Sequence, residues 1–224
     1  RARMTNFKVT KPKPQNDIPL SWIGEKPTTD MPVSWGIPFA KGELTDAWHV
    51  DIKNSNGKQL TADNHVMARW QDGSIKWLGL STVATPCDTL YAVRTKGKAN
   101  TIRKNVDITK PIDAGRMKVY ISAKGANIID SLFLDNRCVA RDFQLFCSVQ
   151  DDAQRPSHYE DFTSQISNVE VQQGNVKTTV KIEGKHLMPF VVYLYIYKGT
   201  EQIKVVHSFT YTADHQKQFV NSLG

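Results

Sequence analysis

The side chains able to neutralise an anion or carry a proton are scattered along this sequence, and four stand out by their neighbours. Arg69 and Lys76 flank the indoles of Trp70 and Trp77, while His65 and His207 lie beside apolar runs. A guanidinium and an ammonium beside two indoles suit an anionic ligand with a flat face, and an imidazole suits proton transfer. For the tryptophans with their charged neighbours and for His207 a structural reading competes and is favoured. Trp70 and Trp77 serve as plates in a core or between domains, with Arg69 and Lys76 snorkelling to solvent. In Val205-Val206-His207-Ser208-Phe209, alternation sets Val205, His207 and Phe209 on one face, where a hydrogen-bonded core histidine is the default.

The remaining candidates are weaker. His215 beside Asp214 lacks a nucleophile and a third member, and His186 before Pro189 is less informative still. Asp151, Asp152, Glu160 and Asp161 cluster in a polar stretch that could take calcium, but they do not follow an EF-hand pattern and read as a solvated acidic loop. Tyr193, Tyr195 and Tyr197 alternate on one strand face, which fits a ligand groove or packing against another sheet.

What positions Arg69 to Trp77 is a hairpin. Asp72-Gly73 is a tight-turn pair between two tryptophan-bearing arms, and the second arm alternates Ile75, Trp77 and Gly79 against Lys76, Leu78 and Leu80. Around it the sequence predicts short strands at Phe7–Thr10, Met31–Phe39, Trp48–Ile52, Thr89–Val93 and Asn105–Ile108, with an Asn56-Gly57 turn after the third. From Asp113-Ala114-Gly115 onward the strands lengthen: Arg116–Ile121, Ile128–Leu134, Phe143–Val149, 167–172, 176–183, 190–197 and 203–212, with Asp135-Asn136 as a turn. Asp214 to Leu223 reads as a short helical turn or a connection. The expected fold is all-β: a small N-terminal β-barrel-like domain over residues 1–113, followed by an antiparallel β-sandwich over 114–224. All five tryptophans, Trp22, Trp35, Trp48, Trp70 and Trp77, fall in the first 80 residues, which supports two separate cores.

Composition narrows the function without choosing it. At 224 residues and 40% hydrophobic content the chain can bury two modest cores. A net charge of +7 with an isoelectric point near 9.3 permits a polyanionic partner. The basic residues are dispersed, though, so a nucleic-acid partner is not expected. Three cysteines, Cys87, Cys138 and Cys147, are too few for a disulfide scaffold and lack metal-ligand spacing. Cys138 and Cys147 are compatible both with a cross-strand pair and with two reduced thiols. No apolar run is long enough for a membrane span, and membrane insertion is not expected. The start at Arg1-Ala2-Arg3 rather than methionine makes the lack of a secretory segment a weak argument against export. The apolar ending at Leu223-Gly224 suggests a longer protein.

Two segments, 33–42 (VSWGIPFAKG) and 69–77 (RWQDGSIKW), resemble the N-terminal barrel-like module of the exo-rhamnogalacturonan lyase and YetA-like family. The stretches 128–132, 180–184 and 206–209 resemble landmarks of its following β-sandwich module. The resemblance implies a carbohydrate-active protein exported from the cytosol, secreted, periplasmic or at the cell surface. Its partners would be an acidic pectic polysaccharide or oligosaccharide and a downstream helical catalytic region. A lyase beside a uronic acid needs a group to neutralise the carboxylate, a base and an acid, and Arg69, Trp70, Lys76, Trp77 and His207 are the candidate substrate contacts. No catalytic residue transfers onto this sequence and no metal site or cofactor is expected, although the resemblance leaves calcium open for the parent protein. The expected role is thus non-catalytic support and substrate binding, against the alternatives of an independent carbohydrate-binding module or a structural adaptor.

Overall fold

The computed structural model describes residues 17–86, 89–98, 102–104 and 106–224. The expected strand at Phe7–Thr10 and Cys87 lie outside these residues. Among the described residues every regular element is a strand.

The first module comprises β1 (Asp17–Leu20), β2 (Met31–Pro38), β3 (Trp48–Asn54), β4 (Gln59–Leu60), β5 (Ala62–Arg69), β6 (Ile75–Ala84) and β7 (Leu90–Lys96). These form two antiparallel sheets, β1-β7-β3-β4 and β2-β6-β5, whose inner faces close on one core. Period-two alternation selects that face: Leu78, Leu80 and Ala84 of β6 and Ile37 of β2 are buried with Val50, Ile52, Leu90 and Ala92, and Trp22 and Trp35 pack against them. The sheets are tied by Asn64, whose Oδ1 accepts from the Val50 N–H and whose Nδ2 donates to the Val50 carbonyl, both at 2.9 Å. A side-chain amide there substitutes for a strand neighbour and satisfies an otherwise unpaired peptide group.

The second module comprises β8 (Arg103–Lys104), β9 (Ile112–Asp113), β10 (Met117–Tyr120), β11 (Asn127–Leu134), β12 (Arg137–Gln144), β13 (Phe146–Gln150), β14 (Tyr159–Thr163), β15 (Gln165–Gln173), β16 (Lys177–Lys185), β17 (Pro189–Tyr197), β18 (Ile203–Phe209) and β19 (Phe219–Leu223). A five-stranded sheet, β18-β17-β16-β15-β8, faces a four-stranded one, β12-β11-β10-β9. Between them lie Val180 and Ile182 of β16, Phe190, Val192, Leu194 and Ile196 of β17, and Met117, Val119, Ile128 and Ile129 opposite. A third sheet, β14-β13-β19, buries Cys147 and Val149 against Met188. The β11–β12 hairpin turns on Asp135 and Asn136, with φ of 49° and 64°. Positive φ at both central residues matches the twist of the strands, and Asp and Asn tolerate it.

Several expectations change. Residues 219–223 form a strand, not a helical turn, because β13 offers them a free edge. No strand forms at Val106–Ile108: the Asp107 carboxylate accepts from the Thr109 N–H at 2.9 Å and its hydroxyl at 2.8 Å, a local turn that competes with pairing. The short strand nearby is β8, which pairs with β15, while β9 pairs with β10. A division after residue 113 therefore falls inside the sheets of the second module. Cys138 and Cys147 are free thiols, and burial raises the Cys147 pKa.

Candidate functional site: a cleft between the two modules

Alternation that buries one face of a strand frees the other, and here the freed faces of the two modules meet. The pairing of β2, β6 and β5 places Ser34, Gly36, Asp63, His65, Trp77, Gly79 and Ser81 on the outer face of the first module. In β16 and β17, the positions between the buried ones are Lys177, Thr179 and Lys181, and Tyr193 and Tyr195, with the buried Tyr197 next on the same face. A cleft of about 600 Å³ lies between these faces.

Two polar contacts close one end of it. Asp63, only 4% exposed, accepts the backbone N–H groups of Asn175 (2.6 Å), Val176 (2.9 Å) and Lys177 (3.0 Å). A buried carboxylate is costly unless such donors surround it, so the turn at 174–177 is fitted to Asp63. Gly174 is part of that fit, since a Cβ there would collide with the carboxylate. Beside it the Ser34 hydroxyl lies 2.8 Å from both the Ser81 hydroxyl and the Tyr197 hydroxyl, and Lys177 Nζ donates to Ser34 Oγ at 3.3 Å.

The walls differ in chemistry. On the first module the Trp77 indole lies over Gly36, where a Cβ would collide with it, and 39% of its surface remains exposed. On the second, the Tyr193 and Tyr195 rings stand near-parallel with centroids 6.1 Å apart. Lys177 Nζ lies 5.1 Å from the Tyr195 ring and Lys204 Nζ 6.0 Å from it. Burial lowers the Lys177 pKa; Asp63 opposes that shift and Lys204 adds to it. His65, with surface exposed at the rim, is lowered first by desolvation between the walls and then by Lys177 and Lys104. Lys181 is different: it pairs with Glu183 at 2.6 Å, which raises its pKa and lowers that of the carboxylate.

Of the residues singled out by sequence, His65, Trp77, Tyr193 and Tyr195 reach this cleft. Arg69 instead pairs with Asp46 Oδ1 at 2.8 Å and donates to the Gly73 carbonyl at 2.8 Å, locking the hairpin. Trp70 donates its Nε1–H to the Phe39 carbonyl at 3.0 Å, and Lys76 Nζ sits 4.6 Å from its ring centroid. All three are engaged within the first module. His207 is on the core-facing side of β18 opposite Val192, with its ring 6.0 Å from those of His186 and Phe190. The Nε2 atoms of His186 and His207 are buried without a partner among the described residues, against the expectation of a hydrogen-bonded histidine. The carboxylates of Asp151 and Asp152 accept amides of their own loop. Sequence reasoning missed Asp63 and Lys177. The alternation Lys177, Thr179, Lys181 against Thr178, Val180, Ile182 marks the exposed face of β16, but no local signal pairs Asp63 with a turn 111 residues or more away.

Comparison with known proteins follows the same two-part division. Residues 16–96 match the PcRGLX-like N-terminal RIFT barrel domain, and residues 101–224 match the PcRGLX-like protein central beta sandwich domain. The uncharacterized protein YetA of Bacillus subtilis (strain 168) is 26% identical over 223 residues, covering 92% of this chain. The chain spans about a quarter of that relative, 26% of its length. With both modules matched in order, this chain belongs to the PcRGLX-like family, as its barrel and central sandwich domains.

Proposed function

We propose that the chain forms the two N-terminal β modules of a rhamnogalacturonan lyase-like protein that works outside the cytosol on acidic pectic polysaccharide. The modules serve as a rigid, non-catalytic support for a downstream catalytic region. The observation that carries this reading is the Asp63 clamp: a buried carboxylate whose protein contacts hold one module to the turn of the other. Charged groups placed for catalysis are arranged around an open reacting position; this one is filled by backbone amides. The reading is also supported by the cleft itself, where His65 has no carboxylate or imidazole partner within hydrogen-bonding distance among the described residues.

The test compares this chain with the longer protein on a uronic-acid-containing oligosaccharide, following the ultraviolet absorbance of the unsaturated product. The longer protein is expected to generate it and the 224-residue chain is not. Efficient turnover by the chain alone overturns the support role. A second reading, an independent carbohydrate-binding module, is favoured by the exposed Trp77 indole in the cleft. It predicts saturable glycan binding by the isolated chain.

A further inference from the structure

The cleft contains a positive charge that the described residues leave unanswered. Lys181 is neutralised by Glu183, and Glu170, opposite it in the β15–β16 register, adds to that. Lys177 has no carboxylate within ion-pair distance among the described residues; Asp63, which acts on it through space, already accepts three backbone N–H groups. The Lys177 ammonium has three donors, of which Ser34 takes one at 3.3 Å. It also lies over the faces of Tyr195 and Tyr197, at 5.1 and 5.9 Å from their ring centroids. A half-buried ammonium with spare donors, crowded by Lys204, gains from any anion that enters the cleft.

Other cleft features restrict which anion fits. The space, about 600 Å³, is within the usual range for small-molecule sites. The Trp77 indole, backed by Gly36 and exposed over 39% of its surface, offers a flat apolar platform. Thr179 and Tyr193 line the same space with hydroxyls. Glu170 repels an anion from the Lys181 side, whereas the Asp63 charge near Lys177 is already engaged by three backbone N–H groups, so Lys177 is the place left for it.

We propose that the inter-module cleft is a binding site for a carboxylate-bearing sugar, with Lys177 holding the carboxylate and Trp77 stacking on the ring. This goes beyond the support role and rests on the carbohydrate-active reading for the choice of sugar as the flat ligand. It makes the junction of the modules a substrate-holding point away from the chemistry.

The test titrates the chain calorimetrically with a galacturonic acid trisaccharide, its carboxyl-reduced neutral counterpart, and inorganic phosphate. The trisaccharide is expected to bind saturably and more tightly than either control. Lys177→Gln should weaken it about tenfold, the scale of a hydrogen bond to a charged group, while Lys177→Arg, which keeps the charge, retains most of the affinity. Trp77→Leu should weaken both sugars and leave phosphate unchanged. Thermal unfolding of each variant verifies that it folds. Absence of saturable trisaccharide binding overturns the proposal, as do affinities unchanged in folded Lys177→Gln and Trp77→Leu, or phosphate binding as tight as the sugar. Loss of the cleft site with lyase activity retained by the longer protein leaves the support role standing.

Discussion

Replacing Asp63 by asparagine preserves shape and removes charge, and its effect can be worked from the contacts. Oδ2 accepts from Val176 and Lys177, and Oδ1 from Asn175. With the amide oxygen in the Oδ2 place, two bonds persist as neutral ones, and the new NH2 group confronts the Asn175 N–H, donor against donor. A hydrogen bond to a charged group contributes about 1.5–3 kcal/mol and a neutral one about 0.5–1.5. Losing one charged bond and weakening two others sums to about 3–6 kcal/mol; neighbouring bonds are not additive, so we take the lower end, about 3 kcal/mol. For a chain of this size that lowers the melting temperature by roughly 6–12 °C.

The assay is urea unfolding read by two probes. Tryptophan fluorescence reports the first module, since all five tryptophans lie at or before residue 77, while far-ultraviolet circular dichroism reports both modules. In the native chain the two curves should coincide, and in Asp63→Asn they should separate as the modules uncouple. Gly174→Ala should have a similar effect, because its Cβ would displace the carboxylate, and should cost much less once Asp63 is already alanine. A loss below about 1 kcal/mol in Asp63→Asn, or probes that already diverge in the native chain, would refute the clamp.

Three further outcomes follow from the same contacts. His186 and His207 are lowered below their ordinary 6.5, by burial first and, for His186, then by His207, so folding favours their neutral forms. Stability is therefore full above pH 6.5 and falls as pH drops from there toward the lowered values. His207→Leu should flatten that fall, read as the urea midpoint between about pH 7.5 and 5. Asp151 is held down at about 2 by the Ser157 hydroxyl first and then the His158 and Ser157 amides; Ser157→Ala should move its carboxyl titration in NMR upward toward 3.8. Gly36→Ala should push the Trp77 indole out of its seat, which a changed fluorescence maximum and increased quenching by iodide would register.

Much of the fold was legible because its signals are local. Asp72-Gly73 turns as its residue pair requires: Gly73 has a φ of 82°, and the Trp70 N–H donates to the Ser74 carbonyl at 2.9 Å. The alternation of Tyr193, Tyr195 and Tyr197 put them on one face of β17, and Val192 and Leu194, which alternate with them, face the core. The face assigned to His207 was right, while its missing hydrogen bond depends on what packs around it and could not be read. Phe219, Val220 and Leu223 read as a helical turn or a connection, and the strand they form was missed because its pairing depends on the distant β13.

The site was less legible for a physical reason. Arg69, Trp70 and Lys76 have the right chemistry but meet their partners within their own hairpin or across its module, which consumes their charges and the indole donor. The cleft is made by residues whose partners are far away in sequence. Ser34 meets Tyr197 across 163 positions, and nothing near either residue announces the other. Trp77 was visible for its type, but its role came from Gly36 beneath it and from the opposing module.

The central claim is that the two modules move as one body. Backbone nitrogen-15 relaxation tests it directly, by giving each module its own rotational correlation time. The Asp63 and Ser34–Tyr197 contacts predict a single time, that of a 25.3 kDa particle, for strands of both modules. Two distinct and shorter times, each suited to a separate module, would contradict it.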